Sequence, residues 1–169
     1  MRKLPALLVL LLFAYPSFAQ TQNSIVFWKT IVGLITTPGS SNLNPIGNIP
    51  SGGFPWVTTG GDAFVNLSNG DVHFRVEGLS VVGTSNIGQP SIFTNVTGTV
   101  VCDPGGAAQQ NFDTGPVPIS PQGDAEFVGV LNSAPGASCF NPAFLIRRGA
   151  ALDLTGAWVA SGIVRTMSH

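Results

Sequence analysis

The stretch NLSNGDVHF, residues 66–74, is followed by Arg75 and sets an imidazole two residues from a guanidinium. Residues two apart on a strand share a face, so His73 and Arg75 form a candidate polar binding patch, with Asn66 across from them. Asp124 and Glu126 are spaced in the same way and, with Asp62 or Glu77, are candidates for the paired carboxyls of a glycosidase. Such a pair needs a separation of about 5–10 Å in a cleft. Eight acids scattered along the chain make a chance pairing easy, so spacing alone does not carry that reading. Phe54 and Trp56 lie in a Pro/Gly-rich loop, where exposed rings would stack on sugars or anchor a partner, whereas a buried Trp56 would pin the loop to the sheet.

Most other chemistry lacks its residues. His169 is the last residue, so a Ser-His-Asp triad would have to use His73, which the strand alternation turns outward beside a guanidinium, a poor setting for a general base. GLSVVG around Ser80 lacks the G-x-S-x-G elbow. The Gly-Gly pairs at 52–53, 60–61 and 105–106 precede no helical pattern and read as turns, not phosphate cradles. Cys102, Cys139 and one internal histidine fall short of a four-ligand zinc site. No catalytic residue, metal or cofactor is assigned. In an oxidising compartment a lone cysteine pair is most simply one disulfide, closing 139 − 102 = 37 positions.

That compartment is implied by the opening MRKLPALLVLLLFAYPSFAQ. Arg2 and Lys3 precede an apolar run and a Ser17-Phe18-Ala19 cleavage signal, the pattern of a secretory leader over residues 1–19. The run is shorter than the ~20 residues of a membrane span, and no later run is long and apolar enough. Residues 20–169 are therefore expected as one domain, extracellular or periplasmic. Their five bases (Lys29, Arg75, Arg147, Arg148, Arg165) and eight acids give 5 − 8 = −3. Without a basic patch beyond Arg147-Arg148, nucleic-acid binding loses its electrostatic drive. Only 9% of residues are charged, against about 25% usually, which leaves little to oppose self-association.

Positioning falls to strands. Asn69-Gly70 between alternating runs is a hairpin signal. A two-residue loop there would set Leu67 against Val72, Asn66 against His73 and Phe64 against Arg75, with Ala63, Val65, Leu67, Val72, Phe74 and Val76 on one apolar face. Extended, that register opposes Asp62 to Glu77, so the ladder is expected to fray at Gly60, Gly61 and Gly78 unless a cation or a shared proton relieves the repulsion. Further β-rich runs cover residues 24–37, 91–103, 124–131 and 156–165. Pro116, Pro118 and Pro121 confine their segment to a sheet edge, and AFLIRRGAALDL is either a strand to Arg148 or a short helix. Residues 38–61 form a long Pro/Gly-rich loop. The count, about seven to nine short strands, predicts an all-β antiparallel sandwich with one disulfide.

Four segments, IPSGGFPW, FRVEGLSV, GPVPISPQGDAEF and GAWVASGIVR, resemble a group of uncharacterised bacterial exported, β-rich proteins in which GG-x-PW, V-x-GL, PVP-x-SP-x-GDA and a terminal GxW strand recur in this order. The resemblance spans residues 49–165 and implies no activity. The expectation is a secreted, non-catalytic binding module for a carbohydrate or protein surface. The alternatives are a structural subunit of a surface assembly or adhesive layer, and a hydrolase using paired carboxylates. Asn66-Leu67-Ser68 and Asn95-Val96-Thr97 match the glycosylation sequon, which matters only in a eukaryotic secretory pathway.

Overall fold

A computed structural model of the protein describes residues 24–36, 44–83, 85, 87–88, 93–136, 138–149 and 156–168. The expected leader and its cleavage site lie outside the described residues, as do residues 38–43 of the long loop. Eleven strands run in chain order: β1 (Ile25–Gly33), β2 (Trp56–Val57), β3 (Gly60–Asn66), β4 (Asp71–Glu77), β5 (Ser80–Val81), β6 (Asn95–Cys102), β7 (Gln110–Asp113), β8 (Val117–Pro118), β9 (Ala125–Val130), β10 (Ala143–Arg148) and β11 (Trp158–Ser168). Two more strands occur than the upper expectation because β2, β5 and β8 are two-residue pieces. AFLIRR resolves as the strand β10.

Nine strands form one antiparallel sheet in the order β7-β6-β10-β11-β1-β3-β4-β9, with β8 beside β7 on the edge of β6; β2 and β5 pair separately. The sheet curls until its two ends meet. Beyond β9, the Asn132 N–H donates to the Asp113 carbonyl of β7 at 2.8 Å. Curling brings inner faces together as in a sandwich. Phe74 of β4 and Trp28 of β1 both pack against Phe144 of β10, with centroids at 5.7 and 5.5 Å. Val26, Ala63, Val65, Val72, Val76, Val100 and Ile146 complete a solvent-free interior, the dominant stabilising term.

The hairpin keeps the expected faces but not the expected register. Asp62 pairs with Arg75, Phe64 with His73 and Gly60 with Glu77, two residues from the predicted alignment. A two-residue slip preserves the side-chain alternation. Its cause is a four-residue loop, 67–70. The Gly70 N–H donates to the Asn66 carbonyl at 2.8 Å, and Asn66 Oδ1 accepts from the Ser68 N–H at 3.0 Å. Leu67 is drawn out of the ladder into the core, its N–H bonded to Ser24 O and its carbonyl accepting from Gly136 N. Gly70 has φ +81°, while Asn69 is not in the left-handed region that a type I′ turn needs at both central residues.

Cys102 and Cys139 form the expected disulfide, tying the end of β6 to the loop before β10. The described part of the long loop is stitched inward. Trp56 N donates to Leu34 O at 2.7 Å, Gly52 N to Trp158 O at 2.8 Å, and Trp158 Nε1 to Asn44 O at 2.9 Å.

Candidate functional site

Of the two roles open to the loop aromatics, the structure shows the inward one. Trp56 is 1% exposed and tilts against Phe93 at 5.2 Å, and Phe54 packs on the same core. The physical reason is that Trp56 also pairs in β2 with Val81 of β5, so backbone bonds carry the ring under the sheet. Trp28 and Trp158 are buried as well. Asn66 Oδ1 accepts from the Ser68 N–H within the hairpin loop.

His73 and Arg75 do face outward, and β9 completes their surroundings. Val128 lies opposite His73, and Glu126 lies opposite Arg75. His73 Nε2 is 3.0 Å from Glu126 Oε1. The Arg75 guanidinium donates through Nη2 to Asp62 Oδ1 at 3.2 Å and pairs through Nη1 with Glu77 Oε1 at 3.1 Å. The expected opposition of Asp62 to Glu77 does not arise in the slipped register: Asp62 faces Arg75, Glu77 faces Gly60, and the guanidinium reaches both carboxylates. Asp124 Oδ1 accepts from the Gly78 N–H at 2.9 Å, fixing the turn after β4.

Beside this face the β8–β9 hairpin splays, because β8 pairs with β6 while β9 pairs with β4. Ser120 closes its tip, its N–H donating to Asp124 O at 2.8 Å and its carbonyl accepting from the Gly123 N–H at 2.9 Å. The opening leaves a surface groove of about 670 Å³. Val76, Pro118, Ile119 and Ala125 supply apolar lining, Thr59 and Ser120 hydroxyls, and Arg75, Glu77, Asp124 and Glu126 charge. Arg75 of the polar patch and Asp124 and Glu126 of the carboxylate reading, separate in the sequence analysis, line one groove. Thr59, Pro118, Ile119 and Ser120 were missed, although the proline-limited edge before residue 121 was the signal for that wall. Among the described residues no three His, Cys, Asp or Glu side chains gather as a metal site, and no helix is long and apolar enough to cross a membrane.

No protein-family model, curated protein or solved structure matches this chain.

Proposed function

We propose that this protein is an exported, non-catalytic binding module that holds a carbohydrate in the groove between β8 and β9. The secretory leader pattern and the Cys102–Cys139 bridge support the exported location, extracellular or periplasmic. One observation carries the binding reading: a groove of ligand size whose lining alternates donors, acceptors and apolar atoms. Sugars present hydroxyls that both donate and accept, together with C–H faces. Arg75, Thr59 and Ser120 can donate; Glu77 and Glu126 accept; Pro118 and Ile119 offer the apolar contact.

Each carboxylate of the groove already has a partner. Glu77 pairs with Arg75, Glu126 with His73, and Asp124 with the Gly78 N–H. That suits recognition better than hydrolysis. A panel of soluble oligosaccharides titrated calorimetrically tests it. The expected result is saturable binding to at least one glycan, weakened at least about tenfold in Glu126→Gln or Ile119→Asp by loss of a charge-assisted bond or of the apolar contact. Absence of binding across the panel would sink the carbohydrate reading. Glycan cleavage abolished by Glu126→Gln would instead identify the paired-carboxylate hydrolase.

A further inference from the structure

β11 is paired with β1 from Gly33↔Ala160 to Ile25↔Ser168. On its other side β10 keeps pace only from Arg147↔Trp158 to Leu145↔Ser161. The chain leaves the ladder there for local reasons. Pro142 has no N–H to donate, and Asn141 turns the backbone with φ +44° on the way to Cys139. Residues 163–168 consequently present one strand edge with no neighbouring strand among the described residues.

The vacated place is a recess of about 280 Å³ bordered by Trp28, Pro104, Pro142, Ala143, Ile163 and Arg165. Ile163 and Met167 are 42% and 43% exposed, and both share with Arg165 the face that carries Val26 and Trp28 across β1. Proteins usually blunt such an edge with proline, lysine or a bulge. This one carries a single charge, and Arg165 uses Nη1 on the Pro142 carbonyl at 2.6 Å, so that among the described residues its other guanidinium donors are left for a further acceptor.

We infer that residues 163–168 accept a strand from a partner polypeptide: an extended segment carrying a carboxylate opposite Arg165, flanked at alternate positions by apolar side chains that cover Ile163 and Met167. Main-chain bonds to a sheet edge supply affinity and alternate side chains supply selectivity in this mode of recognition. A second copy of the same edge is the poorer occupant. The antiparallel register that sets Ile163 against Met167 of the other copy also sets Arg165 against Arg165, and directly opposed like charges are unfavourable.

The test uses the whole mature protein and three peptides: acetyl-Thr-Val-Thr-Glu-Thr-Val-Thr-amide, its Glu-to-Lys version, and a version with proline at the centre. Amide hydrogen exchange is followed by NMR during titration. The acidic peptide is expected to slow exchange within residues 163–168 saturably, the Lys peptide to bind about fivefold more weakly, and the proline peptide to give no protection. Arg165→Glu should invert the preference and the milder Arg165→Gln abolish it, with the spectrum elsewhere unchanged. Equal binding of the acidic and Lys peptides, or no protection of the edge at saturating peptide solubility, would overturn the inference. So would sedimentation showing a dimer whose dissociation is what frees these amides.

Discussion

Arg75 stands directly across the β3–β4 ladder from Asp62 and also reaches Glu77, so one guanidinium separates two carboxylates. Removing it should leave Asp62 and Glu77 with no cation between them. Arg75 is 52% exposed, and exposed pairs contribute little, so Arg75→Met is expected to cost only about 0.5–1 kcal/mol. The loss should be larger at low ionic strength and shrink as salt screens the acids. Urea unfolding at low and high salt reads this directly. A cost independent of salt would mean that the aliphatic stem, not the charge, is what matters.

That relationship also shows where sequence reasoning held and where it stopped. The alternation of Ala63, Val65, Val72, Phe74 and Val76 was legible because burial depends on parity alone, and parity survives a two-residue slip. The register itself was not legible. It is set by Leu67, whose backbone bonds to Ser24 and Gly136 come from segments distant in sequence. The disulfide followed from cysteine number and compartment. For Trp56 the sequence left both an exposed and a pinning role open, because the bonds that draw it inward come from Leu34 and Val81. The groove was half legible. Its charged residues stood out by type, but the wall of Pro118 and Ile119 exists only because β8 and β9 choose different partners.

Trp56 and His73 should consequently behave in opposite ways on truncation. Trp56→Ala removes a ring that packs on Phe93 in the core and is expected to cost about 3–5 kcal/mol. His73→Ala removes a surface side chain and its exposed contact with Glu126, and should stay within about 0.5 kcal/mol. Chemical denaturation of the two variants side by side decides the matter. If Trp56→Ala were as mild as His73→Ala, the ring would not be part of the core. Acrylamide should quench native tryptophan fluorescence weakly, since Trp28, Trp56 and Trp158 are all buried.

The Cys102–Cys139 bridge joins positions 37 apart. Constraining an unfolded loop of that length contributes about 4 kcal/mol in the chain-entropy treatment. The Cys102→Ala, Cys139→Ala double variant should lose stability of that order while keeping its strand signature in circular dichroism, because β6 and β10 are also held by six cross-strand pairs. Urea midpoints of the oxidised protein, the reduced protein and the double variant give the comparison. Reduced and double-variant proteins should agree closely. A reduced protein as stable as the oxidised one would show that the unfolded loop is already compact without the bond.

Gly98 tests how tightly the two inner faces meet. It lies in β6 opposite Ile146, and its backbone is fixed on both sides of the peptide: Gly98 N donates to Thr114 Oγ1 at 3.0 Å, and Thr114 N donates to Gly98 O at 2.9 Å. A Cβ at this position would come within 2.8 Å of Phe74 Cδ1 and Cε1 and 2.9 Å of Phe144 Cζ. Neither ring has room to retreat, since Phe74 also stacks on Phe127 and Phe144 packs at a tilt against Trp28. Glycine within a strand ordinarily costs about 0.5–1 kcal/mol relative to alanine, so an uncrowded site would gain from Gly98→Ala. Here overpacking should dominate, with a net loss of about 1–3 kcal/mol. Adding Phe144→Leu should return part of that loss, and a double-mutant cycle should show a coupling of at least about 0.5 kcal/mol between the two positions. Additive effects, or a stabilising Gly98→Ala, would mean that β6 does not press against the rings of β4 and β10 as the curled sheet requires.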